Sequence, residues 1–98
     1  MKKIALDDYV IAVLMRDLVG HEKRPSAFIV FLYLWRRTSG FRLRVVEASL
    51  QEISDETGLS KSSVQVGLKL LRRRRLIRTE LKSRTSTPRH FVLRPWKR

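Results

Sequence analysis

The stretch Ser49-Leu50-Gln51-Glu52-Ile53-Ser54-Asp55-Glu56-Thr57-Gly58-Leu59-Ser60, continued by Lys61-Ser62-Ser63-Val64-Gln65-Val66-Gly67-Leu68-Lys69-Leu70-Leu71, decides the fold. Ser49 and Glu52 have the S-x-x-E spacing of a capping box, in which each side chain satisfies the other's orphan backbone donor. A helix is therefore predicted to begin at Leu50, with Ile53 on the same face. It stops at Thr57-Gly58-Leu59, where Gly58 can take the left-handed conformation of a tight turn. Ser60 caps a second helix, predicted from Ser60 to Arg75, whose positions Val64, Leu68 and Leu71 follow the i, i+4, i+7 spacing of one buried face. The result is two short helices around a glycine turn.

Working toward the N-terminus, Asp7 or Asp8 can cap a helix running from Tyr9 to Val19 and ending at Gly20. Pro25 suits the first turn of another, Ser26 to Arg37, which passes through Phe28, Ile29, Val30, Phe31, Leu32, Tyr33, Leu34 and Trp35 with no polar face until Arg36. A helix apolar all round must be covered all round. Either it is the centre of one chain's core, or one side of it meets a second copy. The second reading is preferred, because so small a domain has few elements with which to cover it. Thr38-Ser39-Gly40 ends the helix. Phe41-Arg42-Leu43-Arg44-Val45 then alternates apolar and basic residues, as a half-exposed strand does, although a loop would also fit.

Toward the C-terminus, Ile77 to Lys82 alternates like a strand, Ser83 to Pro88 is a polar turn region, and His90 to Leu93 reads as the return strand. The tail from Arg94 to Arg98 carries no structural signal, and Trp96 is expected to pack on the core rather than to stack on a base. The chain of 98 residues is thus predicted to form one α+β domain over 1–98, mainly α with a small β-hairpin. Two apolar N-terminal helices occupy 7–38, the helix pair 49–75 and the hairpin 77–94.

Charge separates the two parts of the chain. Residues 61–98 hold thirteen basic groups and one acid, Glu80, whereas residues 1–60 hold nine basic groups and eight acids. The overall +13 therefore sits almost wholly in the second part, and it points to a polyanionic partner. A solvated charged face and an anionic membrane surface are the competing uses of such a segment. The longest apolar run, Ala27 to Trp35, has nine residues, half of the ~18 that a membrane-spanning helix requires. Met1-Lys2-Lys3 precedes apolar residues, but Asp7 and Asp8 interrupt them and no small-residue cleavage site follows, so a cytoplasmic, nucleoid-associated protein is expected. The absence of cysteine fits a reducing compartment.

The residues Ser49 to Ile53, Thr57 to Ser60, Val64, Leu68, Leu71 and Leu76-Ile77 together resemble the winged helix-turn-helix family. The likeness covers about half the chain directly. The stretch Phe28 to Gly40 further resembles the helix that introduces this unit in small bacterial, archaeal and phage regulators and in some replication initiator domains. The family pattern usually places glycine before the Leu-Ile pair, where this chain has Arg75; a helix running slightly further before its turn accommodates that. The resemblance implies that the helix from Ser60 enters the major groove of DNA while the hairpin, its wing, follows the backbone or the adjacent minor groove.

With Val64, Leu68 and Leu71 turned inward, Ser62, Gln65, Val66, Lys69 and Arg73 face outward. Gln65 can pair bidentately with adenine, Val66 can touch a thymine methyl, Ser62 can donate or accept, and Lys69 can reach guanine or phosphate. Lys61 and the free N–H groups of the helix start suit a phosphate. In Arg72-Arg73-Arg74-Arg75, Arg73 points most directly outward. Arg78, Lys82, Arg84 and Arg89 surround a hairpin loop of small hydroxyl residues that phosphates can approach closely.

The function expected from these features is sequence-specific binding of double-stranded DNA as a transcriptional regulator, by a homodimer joined through its N-terminal helices. A replication initiator or partition protein binding repeated sites is the alternative, and a winged helix serving protein contacts is a weaker one. RNA binding usually calls for exposed stacking aromatics. The chain offers no glycine-rich phosphate loop, no cleft-forming carboxylate pair and no nucleophile with a recognisable base, so no enzyme activity is expected. His21 and His90 lie in different elements, which leaves a zinc site without support, and no cofactor or small-molecule effector is evident.

Overall fold

Pro25 occupies the first turn of a helix whose residues are apolar from Ala27 to Trp35, and the remaining elements are arranged around that helix. The structure, a computed structural model, describes residues 3–38 and 45–97. In chain order these form an N-terminal helix of π winding (Val10–Leu14 and Arg16–His21), α1 (Pro25–Arg37), β1 (Val45–Glu47), α2 (Leu50–Thr57), α3 (Lys61–Arg73), β2 (Ile77–Glu80) and β3 (Arg89–Val92). Among the described residues the architecture is α+β, four helices and a three-stranded antiparallel sheet of order β1-β3-β2.

The N-terminal helix differs from its predicted form in winding and at both ends. It passes through Gly20 to His21, and Lys23 makes the reversal with φ 56°. Neither aspartate caps it by a side-chain bond. The Asp7 carboxylate instead accepts from the Trp96 indole Nε1 at 3.1 Å and lies 3.5 Å from Arg94, because the C-terminal tail returns to this point and its part-buried N–H needs an acceptor. Val10, Leu14 and Leu18 face the core. A spacing of four fits an α-helix as well as a wider turn, so periodicity could not announce the π winding.

The N-terminal helix, α2, α3 and β3 all pack against α1. Ala27, Phe28, Val30, Phe31, Tyr33, Leu34 and Trp35 are buried. The chain therefore covers most of this helix itself and leaves Ile29 39% exposed, so a second copy is not needed to cover the helix all round. Two features invisible to a helical wheel supply the cover. Trp96 stacks on Tyr9 at a centroid distance of 4.7 Å and meets Trp35 at 6.4 Å, so the tail closes one side of the core. On another side, a Cβ at Gly67 would stand 3.2 Å from the Ala27 Cα, so glycine lets α3 lie directly on the start of α1.

The helix pair forms as its caps and turn predict. Ser49 Oγ accepts from the Glu52 N–H at 3.0 Å, Ser60 Oγ accepts from the Ser63 N–H at 3.1 Å, and Gly58 takes φ 82°. The capping box is only half made, however. The Glu52 carboxylate turns away from Ser49 to accept from Arg37 at 3.1 Å, since a guanidinium is a stronger donor than a backbone amide.

Helix α3 stops at Arg73, two residues short of its predicted end, and Arg75 is left-handed with φ 57°. Its N–H reaches the Arg72 carbonyl at 3.0 Å, and the Leu76 N–H reaches the Leu71 carbonyl at 2.9 Å, a Schellman closure with arginine where glycine is usual. The early stop lets Leu76 and Ile77 both turn into the core.

Strand β2 ends two residues earlier than predicted, β3 keeps its predicted length but starts one residue earlier, and residues 81–88 form their loop. A third strand joins them, with Val46 opposite His90 and His90 opposite Thr79. The strand predicted from Phe41 to Val45 falls outside the described residues except for Val45, as do Ser39 and Gly40 at the predicted end of α1. No helix among the described residues is long and apolar enough to cross a membrane.

Candidate nucleic-acid interface

Helix α3 sits over α1 with Val64, Gly67, Leu68, Leu70 and Leu71 buried, and this fixes which side chains remain outside. Ser62, Gln65, Val66, Lys69 and Arg73 are all exposed, forming one ridge along the helix. Val66 is 43% exposed and so offers an apolar contact within an otherwise polar ridge. Lys61 is exposed at the helix start, where Ser60 takes one of the orphan N–H groups and others remain available. A cluster of hydroxyls marks the same end, with Ser60 Oγ 3.1 Å from Ser62 Oγ and 3.0 Å from Ser63 Oγ.

The structure divides the basic residues into two groups. Among the described residues, Arg37, Arg74, Arg78 and Arg94 are paired with acids. Lys61, Lys69, Arg73, Lys82 and Arg84 have no acidic partner there, and all of them are exposed. Arg74 points back into the molecule, where it binds Asp17 and, at 2.7 Å, Glu22. The hydrogen bond to Asp17 raises the guanidinium's pKa, and the same bond holds the Asp17 carboxyl below the usual carboxylate range in spite of burial. Arg72 reaches Thr79 at 3.5 Å, bringing the end of α3 to the sheet.

In the hairpin, Arg78 pairs with Glu80 and lies over the Phe91 ring at 4.1 Å, and Arg89 lies 6.0 Å from the same ring. These two arginines are thus held on one face of the sheet by an aromatic platform. Lys82 and Arg84 stand on the loop, whose turn is shaped by Ser83 Oγ contacts to Thr85 at 3.3 Å and Ser86 at 2.9 Å.

A groove runs along each flank of α3. The one toward the sheet, about 350 Å³, is lined by Gln65, Leu68, Arg72, Thr79 and Leu81, with His90 at its base. The other, about 340 Å³, lies toward the N-terminal helix and α1 and is lined by Glu22, Arg24, Val66, Lys69, Leu70 and Arg73. Arg24 lies outside the helix pair and the hairpin, and no motif in the sequence singles it out.

His90 is buried in the middle of the sheet. Its Nδ1 meets Thr79 Oγ1 at 2.9 Å, and burial pushes the imidazole pKa down, against the Ala48 carbonyl and with the help of Arg72. His21 is exposed on the N-terminal helix, 3.5 Å from Asp17. The two histidines therefore do not meet.

A second polar cluster, also missed by the sequence reading, ties α1 to α2. Tyr33 donates to Glu56 Oε1 at 2.5 Å and accepts from Arg37 at 2.5 Å, while Arg37 also reaches Glu52. Burial first, and the carboxylate second, push the Tyr33 phenol up to about 12. The four-residue spacing of Tyr33 and Arg37 was the only local hint of it. Comparison with protein-family models, with curated proteins and with solved structures found no match.

Proposed function

We propose that this chain is a winged helix-turn-helix protein that binds double-stranded DNA sequence-specifically as a transcriptional regulator. The ridge of α3 carries the reading: Ser62, Gln65, Val66, Lys69 and Arg73 are exposed together and no acid of the described residues neutralises the two cations. A helix with its side chains is about 10–12 Å across, and the major groove is about 12 Å wide, so a helix lodged there presents one such ridge to the base edges. Ser62, Gln65 and Val66 supply a donor or acceptor, an amide fork and a methyl contact, which are the chemistries that distinguish base pairs. Lys61, Lys69 and Arg73 supply phosphate or guanine contacts.

The hairpin extends the same surface. Lys82 and Arg84 are exposed on its loop and suit backbone phosphates, while Arg89 adds positive charge from the sheet face and Arg78 would do so by exchanging Glu80 for a phosphate. Occupancy of a DNA site is the output that a single reading helix offers, and regulation of transcription is the use that follows from it. A homodimer completes the proposal, since two copies would present two reading helices to a two-fold site.

The test is the salt dependence of duplex binding. About six phosphate contacts give a log–log slope near −5 as condensed counterions are released. Fluorescence titrations between 50 and 300 mM salt, roughly the range over which such slopes are resolved, measure it directly. A slope near zero overturns the DNA-binding reading.

A further inference from the structure

A helix lodged in the major groove has a phosphate strand on either side of it, so what flanks α3 matters as much as its ridge. On the side away from the sheet, the close approach of Gly67 to Ala27 brings the start of α1 against the middle of α3. Arg24, the residue before Pro25, is thereby held beside Lys69 and Arg73 in one groove of about 340 Å³. The single acid of that groove, Glu22, is engaged by Arg74 at 2.7 Å. The side chains of Arg24, Lys69 and Arg73 make no ion pair or hydrogen bond among the described residues. Three such cations around one hollow repel one another, and an anion placed among them removes the repulsion.

The geometry points to this groove as a phosphate-binding site for one strand of the DNA backbone, with Arg24 as the contact contributed from outside the reading helix. The inference rests on the DNA-binding reading above and adds to it a third element of the protein that touches DNA. Arg24 stands at the start of α1, a helix of 13 residues, whose positive end adds to the attraction. Val66, assigned above to the base edges, lines the same groove, so the groove lies directly beside the reading ridge. The contact is to phosphate alone, so it affects all sequences alike.

The experiment compares the full chain with Arg24→Ala, Arg24→Lys and, as a control at the opposite end of α1, Arg36→Ala, on preferred and random duplexes over a salt series. Arg24→Ala is expected to weaken both duplexes by the same factor and to make the log–log slope shallower by about 0.9, the value of one phosphate contact. Arg24→Lys keeps the charge and restores the slope, and Arg36→Ala leaves slope and affinity as they are. Wild-type affinity and slope in Arg24→Ala, with duplex binding intact, overturn this site alone. An equal change in Arg36→Ala, or no recovery in Arg24→Lys, also overturns it, by showing a bulk-charge effect or a lost packing contact. A wild-type chain that binds no duplex overturns the DNA-binding reading and this site with it.

Discussion

The Arg74 guanidinium binds the Asp17 carboxylate across 57 positions of sequence and so fastens the last turn of α3 to the N-terminal helix. Both side chains are more than two-thirds buried. Arg74 is therefore structural, whereas its neighbour Arg73 is exposed and has no acidic partner among the described residues.

This pair predicts an acid-sensitive contribution to stability. The Asp17 carboxyl titrates below its ordinary value of 3.8 in the folded chain, chiefly because of the Arg74 hydrogen bond. The unfolded chain then takes up the proton first as pH falls. The contribution is present above the ordinary carboxylate value and is lost as pH falls through the lowered one. Asp17→Asn is expected to cost about 2 kcal/mol at neutral pH, in the range for a charge-assisted hydrogen bond, and to flatten the acid limb of the stability curve. Urea unfolding at a series of pH values measures both effects. An acid limb equally steep in the variant would assign the sensitivity to other carboxyls.

Arg75 gives a second prediction. A side chain at φ 57° strains the backbone, and the Schellman bonds of Arg75 and Leu76 show that the turn is required for the chain to enter β2. Arg75→Gly should stabilise the fold by about 1 kcal/mol, the left-handed penalty less the greater entropy of an unfolded glycine. Arg75→Ala keeps the Cβ and should bring no such gain. Equal midpoints for the two variants in denaturant unfolding would mean that the turn relaxes without strain.

These cases show where sequence reading reaches its limit. The caps at Ser49 and Ser60, the turn at Gly58 and the buried row Val64, Leu68 and Leu71 are set by neighbours within a few residues, and local chemistry makes them legible. The exposed ridge of α3 followed from the same periodicity. Asp17 with Arg74 and Tyr9 with Trp96 meet only after the chain has folded back on itself, and no spacing rule encodes them. Arg75 marks a conflict between a helix-favouring local run and the burial of Leu76 and Ile77, in which burial decides. Arg24 was missed for a related reason, because its place beside α3 depends on the Gly67 contact with Ala27.

On the ridge itself, Gln65 and Arg73 are exposed on the same helix but are expected to act on different parts of DNA. Gln65→Ala should lower affinity for the preferred duplex by roughly 1 to 3 kcal/mol and leave random duplex almost unchanged. Arg73→Ala should weaken both by the same factor and make the salt slope shallower by about 0.9. Competition binding with preferred and random duplexes separates the two patterns. Uniform weakening by both substitutions would show that the reading face has been misassigned.

The last prediction concerns the proposed dimer, whose contact is expected from sequence to use the apolar residues of Tyr9 to Val19 and Phe28 to Trp35 and can draw on only part of them. Phe28, Val30, Phe31, Leu34 and Trp35 are buried within the chain and cannot meet a second copy without unfolding. The N-terminal helix retains an outer row, Ile11, Met15 and Val19, at 42%, 41% and 38% exposure. The spacing of four keeps these residues on one side, roughly a quarter-turn round the helix from the core-facing Val10, Leu14 and Leu18. Two copies of the row can pack on each other about a two-fold axis, since each is apolar and therefore self-complementary. A two-fold DNA site would require such a pairing to set the two reading helices about 34 Å apart, or a multiple of it. Sedimentation equilibrium at micromolar concentration should give about twice the chain mass of 11.6 kDa. Ile11→Glu with Met15→Glu should return it to the monomer mass without loss of helical signal, because both positions are exposed in the single chain. Monomer mass for the folded wild-type chain across that range would show that the row stays solvated and that each copy meets DNA alone.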